Sequence, residues 1–388
     1  MISAFLPRRR PGSGRRRGTG VSAVAVLAAG AVAVAGCSSG SGSASGNGSS
    51  AATGAATATA SASSTADSDA SSSGASSGGS GGATFTNPVY SNDYPDPAVL
   101  RSGSGFYAYA TQGGGANIQS LTSSDLVHWR AGADALPEVG SWAGTGSTWA
   151  PEVIATKGRY VLFYVAHDNA SGKQCVGRAE SGSPAGPFRD GAKKPFVCQD
   201  ALGGSIDPNA IRAGDGHIYL YWKNDGNCCG QAVSLWGQTL SADAATLTGK
   251  PVRLLSNTRP WQGKLIEAPE VVEHAKRFYL FYSANDYASD RYAIGYATCT
   301  GALGPCTDRS LDRPLVASTS DAAGPGHCFV LTLAGGKAWI FFHAWPPDSI
   351  GSSSPGRQLW LEPLTWNGTT PVVAAPSSAA APAPQVAR

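Results

Sequence analysis

Five stretches of the chain share one hydrophobic pattern. Each has a short apolar run, a turn built on Gly or a charged pair, then a run dense in aromatic residues. They are DPAVLRSGSGFYAYAT from Asp96, APEVIATKGRYVLFYVA from Ala150, DPNAIRAGDGHIYLYWKN from Asp207, APEVVEHAKRFYLFYSA from Ala268 and HCFVLTLAGGKAWIFFHA from His327. The starting positions recur every ~55–60 residues, an interval typical of propeller blades or other repeat units. The second run of each repeat is apolar on both faces, as in a strand sandwiched between neighbouring sheets. Nothing between the repeats reads as a long amphipathic helix, and Gly and Pro punctuate short strand-like runs throughout. The pattern predicts an all-β fold, a five-bladed β-propeller, rather than a two-sheet sandwich. In a propeller the first strand of each blade starts at the central axis. The five anchor positions would then crowd around one pocket.

The pattern also marks out what does not fold. Before Phe85 the only aromatic residue is Phe5. Residues 1–37 read as a lipoprotein-type signal peptide: Arg-rich, then apolar from Val21 to Ala35, ending in Val34-Ala35-Gly36-Cys37. That apolar run is shorter than the ~20 residues a bilayer span needs. Cys37 is the expected lipidation site, so the protein is expected outside the cytoplasm, as a cell-envelope lipoprotein or a secreted protein. Residues 38–83 are almost wholly Ser, Gly, Ala and Thr, too poor in apolar surface to offset their ordering entropy, and read as a disordered linker. Residues 84–373 form the expected propeller domain. The Ala- and Pro-rich stretch 374–388 reads as a disordered tail.

Charge and cysteine content then narrow the function classes. The formal net charge is +3, but six Arg lie before Cys37 with no acidic residue among them, which leaves about −3 for the rest. The folded part therefore carries no general attraction to nucleic acid, and any membrane attachment would run through a lipid on Cys37. Seven further Cys in an exported chain suggest disulfides. Cys175 with Cys198 and Cys299 with Cys306 are plausible local pairs, Cys228 and Cys229 a vicinal one, with Cys328 left over. Their spacing does not resemble a zinc site.

The chemistry lies at the anchors. Asp96 stands in Tyr94-Pro95-Asp96-Pro97, Asp207 in Ser205-Ile206-Asp207-Pro208 and Glu267 in Ile266-Glu267-Ala268-Pro269. Acids half-buried at the inner ends of strands are costly unless a site uses them. Glycoside hydrolysis uses such a set: a protonated carboxyl to release the leaving oxygen and a carboxylate to activate water or attack the anomeric carbon. A third negative group can hold the acid's pKa high.

These motifs resemble glycoside hydrolase family 43, the five-bladed arabinofuranosidases, xylosidases and arabinanases, from Asn87 to Val373. The resemblance implies an inverting mechanism with Asp96, in NPVYSNDYPDPAVL, as general base. It gives Glu267, in IEAPEVV, the role of general acid, and Asp207, in SIDPNAI, that of tuning the acid's pKa. It further implies that Arg357, in Gly356-Arg357-Gln358-Leu359, reaches the bound sugar. His327 matches an axial His that in some members lies near a calcium ion or a water cluster; Ca2+ is the one cofactor to consider, and none is required. Trp149 and Tyr94 are the candidate sugar platforms, with Trp222, Trp261 and Trp142 as further aromatic candidates. Glu152 reads as a supporting residue rather than a catalytic acid.

The resulting expectation is an exported monomer. It would hydrolyse α-L-arabinofuranosyl or β-D-xylosyl linkages of plant polysaccharides or oligosaccharides from the chain end. IDPNAI and IEAP also resemble the endo-acting arabinanase branch. A reading from another class is an inactive sugar-binding lipoprotein, which retention of all three carboxylates disfavours.

Overall fold

The computed structural model describes residues 83–386. The signal segment, Cys37 and the linker up to residue 82 lie outside the described residues. Within them the regular structure is strand, interrupted by three single-turn 3-10 segments. Five antiparallel sheets follow one another along the chain as blades one to five, starting at Ala98, Trp149, Ser205, Ile266 and Ala323. Blade two has three strands and the other four have four each. The first strand of each blade packs on the first strand of the next, and that of blade five returns to blade one. This is the five-bladed propeller that the repeat predicts.

The aromatic second strands explain why the blades associate. In such a strand successive side chains point to opposite faces. Leu162 and Tyr164 of blade two face blade one and join Tyr109 there, while Phe163 faces blade three and joins Leu220 and Trp222. Tyr221 and Leu280 share the next core, and Phe281 with Ile340 and Phe342 the one after. Phe341 closes the ring against Val99 and Phe106. The hydrophobic core is thus five main cores, one between each pair of neighbouring blades, with a small cluster of Ala150, Val165 and Ile206 apart from them.

Closure involves both ends of the described chain. Asn87 Nδ2 donates to Leu361 O and Asn87 Oδ1 accepts from Leu361 N, both at 2.9 Å. The stretch 374–386, expected to be a disordered tail, is placed instead. Thr84–Phe85 pairs antiparallel with Ala381–Pro382, and Ala381, Ala383 and Val386 pack on the core between blades five and one. Its small apolar side chains suit a shallow strip over that seam. Two of the expected disulfides, Cys175–Cys198 and Cys299–Cys306, lie within blades two and four; Cys228–Cys229 is vicinal; Cys328 is free and buried.

Candidate active site

All five anchors have left-handed backbone conformation: Asp96 at φ 57°, Ala150 at 44°, Asp207 at 55°, Ala268 at 51° and His327 at 47°. Residues other than Gly seldom adopt this region, so its recurrence at the start of every blade marks a shared construction. The strand pairing slips at these points, between Trp149 and Glu152 and between Glu267 and Glu270. A bulge of this kind re-aims a side chain. Here it also turns the anchor's N–H away from its own sheet.

At four of the five anchors that N–H is met by a side chain from the preceding blade. Asp96 N donates to His343 Nδ1 at 3.1 Å, Ala150 N to Thr111 Oγ1 at 2.8 Å, and His327 N to Ser283 Oγ at 2.8 Å. Ala268 N donates to Asp207 Oδ2 at 2.9 Å, so one catalytic candidate supports the strand that carries another. Three of these partners belong to one structural position, at the inner end of the second strand: Thr111, Ser283 and His343. Lys223 and Val165 occupy it in blades three and two, opposite Ile206 and Trp149.

The anchors converge on a cavity of about 400 Å³ that Asp96, Asp207 and Glu267 all line. Arg357 Nη1 donates to Asp96 Oδ1 at 2.9 Å and Thr111 Oγ1 donates to Asp96 Oδ2 at 2.5 Å, while His327 Nδ1 lies 3.4 Å from Oδ1. Burial alone would raise the Asp96 pKa, but Arg357, His327 and the Thr111 bond outweigh it and hold the carboxyl well below the usual range.

Asp207 goes the other way. Burial pushes it up to about 6, with His327 and Lys223 opposing and the neighbouring Glu267 adding to the rise. Glu267 is held by two donors, Tyr292 OH at 2.7 Å to Oε1 and Lys223 Nζ at 2.9 Å to Oε2. Lys223 is raised despite its burial, by Glu267, Asp207 and Asp225. Burial and then Glu267 and Asp207 keep the Tyr292 phenol well above its ordinary value, so it remains a donor. The site thus sets Asp96, held in its ionised form, apart from Asp207, which keeps its proton into the weakly acidic range.

Trp149 lines the cavity, as does Arg357, whose guanidinium lies 5.0 Å from the centre of the Tyr287 ring. Tyr94 does not serve as a sugar platform. It is 0% exposed, packed in the core between blades five and one against Tyr90, because the turn that places Asp96 at the axis sends the residue two before it inward. Trp222, Trp261 and Trp142 likewise pack between blades or under loops, each with its indole N–H bonded to a protein oxygen. Glu152 is buried away from the cavity, beside Glu270.

His327 lines the cavity with its Nδ1 toward Asp96. Among the described residues no group of three or more His, Cys, Asp or Glu side chains is gathered as for a metal ion. The donors around His327 do not make the oxygen-rich cage that calcium prefers. Sequence reasoning missed Lys223, Tyr292, Thr111, His343, Tyr287 and the Cys228 wall. A signal existed for three of them: Thr111, Lys223 and His343 are polar residues closing otherwise apolar runs at one repeat position. Tyr292 and Tyr287 lie in the loop between the second and third strands of blade four, outside the repeated pattern.

Known proteins fit this geometry. The profile described as glycosyl hydrolases family 43 matches residues 85–371. A non-reducing-end α-L-arabinofuranosidase of Bacteroides ovatus is 35% identical over 297 residues, covering 73% of this chain and 52% of its own. An extracellular endo-α-(1→5)-L-arabinanase of Bacillus subtilis is 25% identical over 231 residues, covering 55% of this chain and 68% of its own. The chain spans about half to two thirds of the length of such curated relatives. Among solved structures, a thermostable family-43 glycoside hydrolase superposes with a TM-score of 0.71 at 31% identity, over 78% of this chain and 100% of its own. A propeller with three carboxylates at equivalent strand starts and a profile match over nearly all of it leave one assignment: the chain belongs to glycosyl hydrolases family 43.

Proposed function

We propose that this protein is an exported glycosidase that hydrolyses α-L-arabinofuranosyl or β-D-xylosyl linkages of plant polysaccharides or their fragments, with inversion at the anomeric carbon. The observation that carries the reading is the division of labour among the three carboxylates in one cavity. Asp96, ionised and held by Arg357 and Thr111, is the base that takes a proton from water. Glu267 is the acid that protonates the leaving oxygen, oriented by Tyr292 and Lys223. Asp207, pushed up to about 6 by burial with the neighbouring Glu267 adding to the rise, is the carboxyl beside the acid that tunes it. Trp149 offers its face to the sugar ring. Water attacks the anomeric carbon as its proton passes to Asp96, while the glycosidic bond breaks toward the oxygen protonated by Glu267.

Action at chain ends is the preferred form, in keeping with the name of the Bacteroides ovatus relative. The Bacillus subtilis arabinanase keeps endo action as the second reading. Two relatives named extracellular, together with the Arg-rich start and apolar run ending at Cys37, support export and lipid anchoring. The test is a panel of aryl pentosides, arabinan, arabinoxylan and xylo-oligosaccharides with product analysis by NMR. Wild type is expected to release single pentoses of inverted configuration, and Glu267→Ala to lose roughly 10²–10⁴-fold on unactivated substrates. An undiminished Glu267→Ala rate would remove the acid assignment, and no turnover of any pentoside would remove the substrate class.

A further inference from the structure

Two cavities meet at the acid. A second chamber of about 610 Å³ adjoins the catalytic cavity, and Glu267, Asn227 and Tyr287 line both. Asp96 and Asp207 line the catalytic cavity and not the chamber. In a displacement with inversion, the water held by the base and the leaving oxygen held by the acid lie on opposite sides of the anomeric carbon. The chamber that the acid lines and the base does not is therefore the side of the leaving sugar. Apart from Leu265 and Tyr287, the side chains along it are polar or charged. Such groups serve sugar hydroxyls, but a sugar ring also presents an apolar C–H face. Tyr287 is the aromatic side chain that lines this chamber.

Neighbouring contacts fix Tyr287 in place. It lies between the second strand of blade four, which ends at Ala284, and the third, which starts at Ala293. Trp345 Nε1 of blade five donates to Tyr287 O at 2.8 Å. Ala288 N donates to Asp286 Oδ1 at 3.0 Å and Ser289 Oγ to Asp286 O at 2.7 Å, which closes the turn around it. A Cβ on Gly324 would come within 2.5 Å of Ser289 O, so blade five packs directly on this loop. The Arg357 guanidinium, bonded to Asp96, lies 5.0 Å from the centre of the Tyr287 ring. Tyr287 is nonetheless 49% exposed, more than any other large apolar side chain among the described residues.

An exposed ring held this firmly costs little entropy to use in binding. Its face is apolar and carries the negative side of the ring quadrupole, which suits the C–H bonds of a sugar. The geometry points to Tyr287 as the platform on which the leaving sugar rests, and so as a residue that makes this enzyme prefer a sugar ring as leaving group. The inference rests on the reading of Glu267 as the acid, and on the pentoside reading only for the choice of substrates.

The test compares an oligosaccharide with the glycosyl fluoride of the same sugar, using the full chain. Fluoride leaves as a single atom and has no ring to rest on Tyr287. Tyr287→Ala should lower the ratio of kcat/KM on the oligosaccharide to kcat/KM on the fluoride by about tenfold, the low end of what an apolar pocket contact commands. Tyr287→Phe keeps the ring and should keep the ratio of wild type. An unchanged ratio in Tyr287→Ala overturns the proposal. So do equal losses on both substrates, which would mean that Tyr287 acts only through Arg357 and Asp96. A ratio in Tyr287→Phe as low as in Tyr287→Ala overturns it too, because the ring would then not be the operative part.

Wild type alone carries the test should Tyr287→Ala fail to fold. A disaccharide substrate and its borohydride-reduced form share the glycosidic bond, but in the reduced form the leaving group is an open-chain alditol with no ring face. Wild type should cleave the reduced form about tenfold less efficiently in kcat/KM; equal efficiency overturns the proposal. If wild type cleaves no pentoside, the substrate class fails separately, and the comparison is made on the glycoside it does cleave. An undiminished Glu267→Ala rate on the oligosaccharide would remove the assignment of the leaving side, and the proposal with it.

Discussion

Asp96 and Glu267 are surrounded by opposite designs. Asp96 accepts from Arg357 and Thr111, and its amide is anchored on His343. Burial, chiefly, drives the His343 pKa well below its ordinary value, which leaves a neutral ring with Nδ1 free to accept. Glu267 instead shares its surroundings with Asp207 and has one buried cation, Lys223, whose side chain is 1% exposed. Lys223 opposes the rise of Asp207 toward about 6. Lys223→Met should therefore move the alkaline limb of the kcat/KM profile to higher pH, because Asp207 keeps its proton longer. It should also cost roughly 3–5 kcal/mol of stability, the range for breaking a buried ion pair from one side. A pH–rate profile on an unactivated substrate checks this, and an unmoved alkaline limb would show that the cation does not tune Asp207.

At the scale of the strand, the left-handed anchor joins function to architecture. One backbone device, repeated five times, aims Asp96 and Asp207 at the axis and, at four of the anchors, bonds the N–H to a side chain of the previous blade. Ala150 and Ala268 hold the same strained conformation without contributing chemistry from their side chains. A left-handed residue costs ~1–2 kcal/mol, against ~0.5–1 kcal/mol of chain entropy for Gly. Ala268→Gly should thus raise stability by about 0.5–1 kcal/mol, seen as a higher Tm in thermal melts; a lower Tm would show that the Ala methyl matters more than the strain. The repeat, the anchors and all three acids were legible in the sequence, because hydrophobic period and acid position are local properties of the chain. The inner-end position held by Thr111, Val165, Lys223, Ser283 and His343 left only a faint trace, a polar residue closing some of the apolar runs, since its importance appears only when one blade's second strand meets the next blade's first. Tyr94 misled for the same reason: proximity to Asp96 along the chain is not proximity to the cavity once the left-handed turn intervenes. The tail misled through composition, as Ala and Pro can cover a seam as well as float free.

For the whole molecule, the axis beneath the site holds a second set of acids that takes no part in the cavity. Glu152 of blade two and Glu270 of blade four are each 4% exposed. Glu270 Oε1 accepts from Val330 N of blade five at 2.8 Å and Oε2 from Asn209 Nδ2 of blade three at 2.5 Å, so this one side chain ties three blades together. Burial pushes Glu270 up to about 8, and burial with the neighbouring Glu270 raises Glu152 well above its ordinary value. An acid whose pKa is raised on folding binds more protons in the native state than in the unfolded one. Its contribution is therefore fully present below its unfolded pKa, ~4.3, and is lost as pH rises toward about 8. Asp207 adds a similar loss, complete by about 6, so the interval from pH 6.5 to 8 reports mainly the axial pair. Wild type should lose Tm steadily across that interval. Glu270→Gln, which can still accept from Val330 N but cannot ionise, should start lower at pH 6.5, because its amide meets Asn209 Nδ2 with a second donor. Its Tm should then fall less on the way to pH 8. Parallel melting curves for the two proteins would mean that Glu270 does not carry the pH dependence, and that the five blades are held at their axis by packing alone.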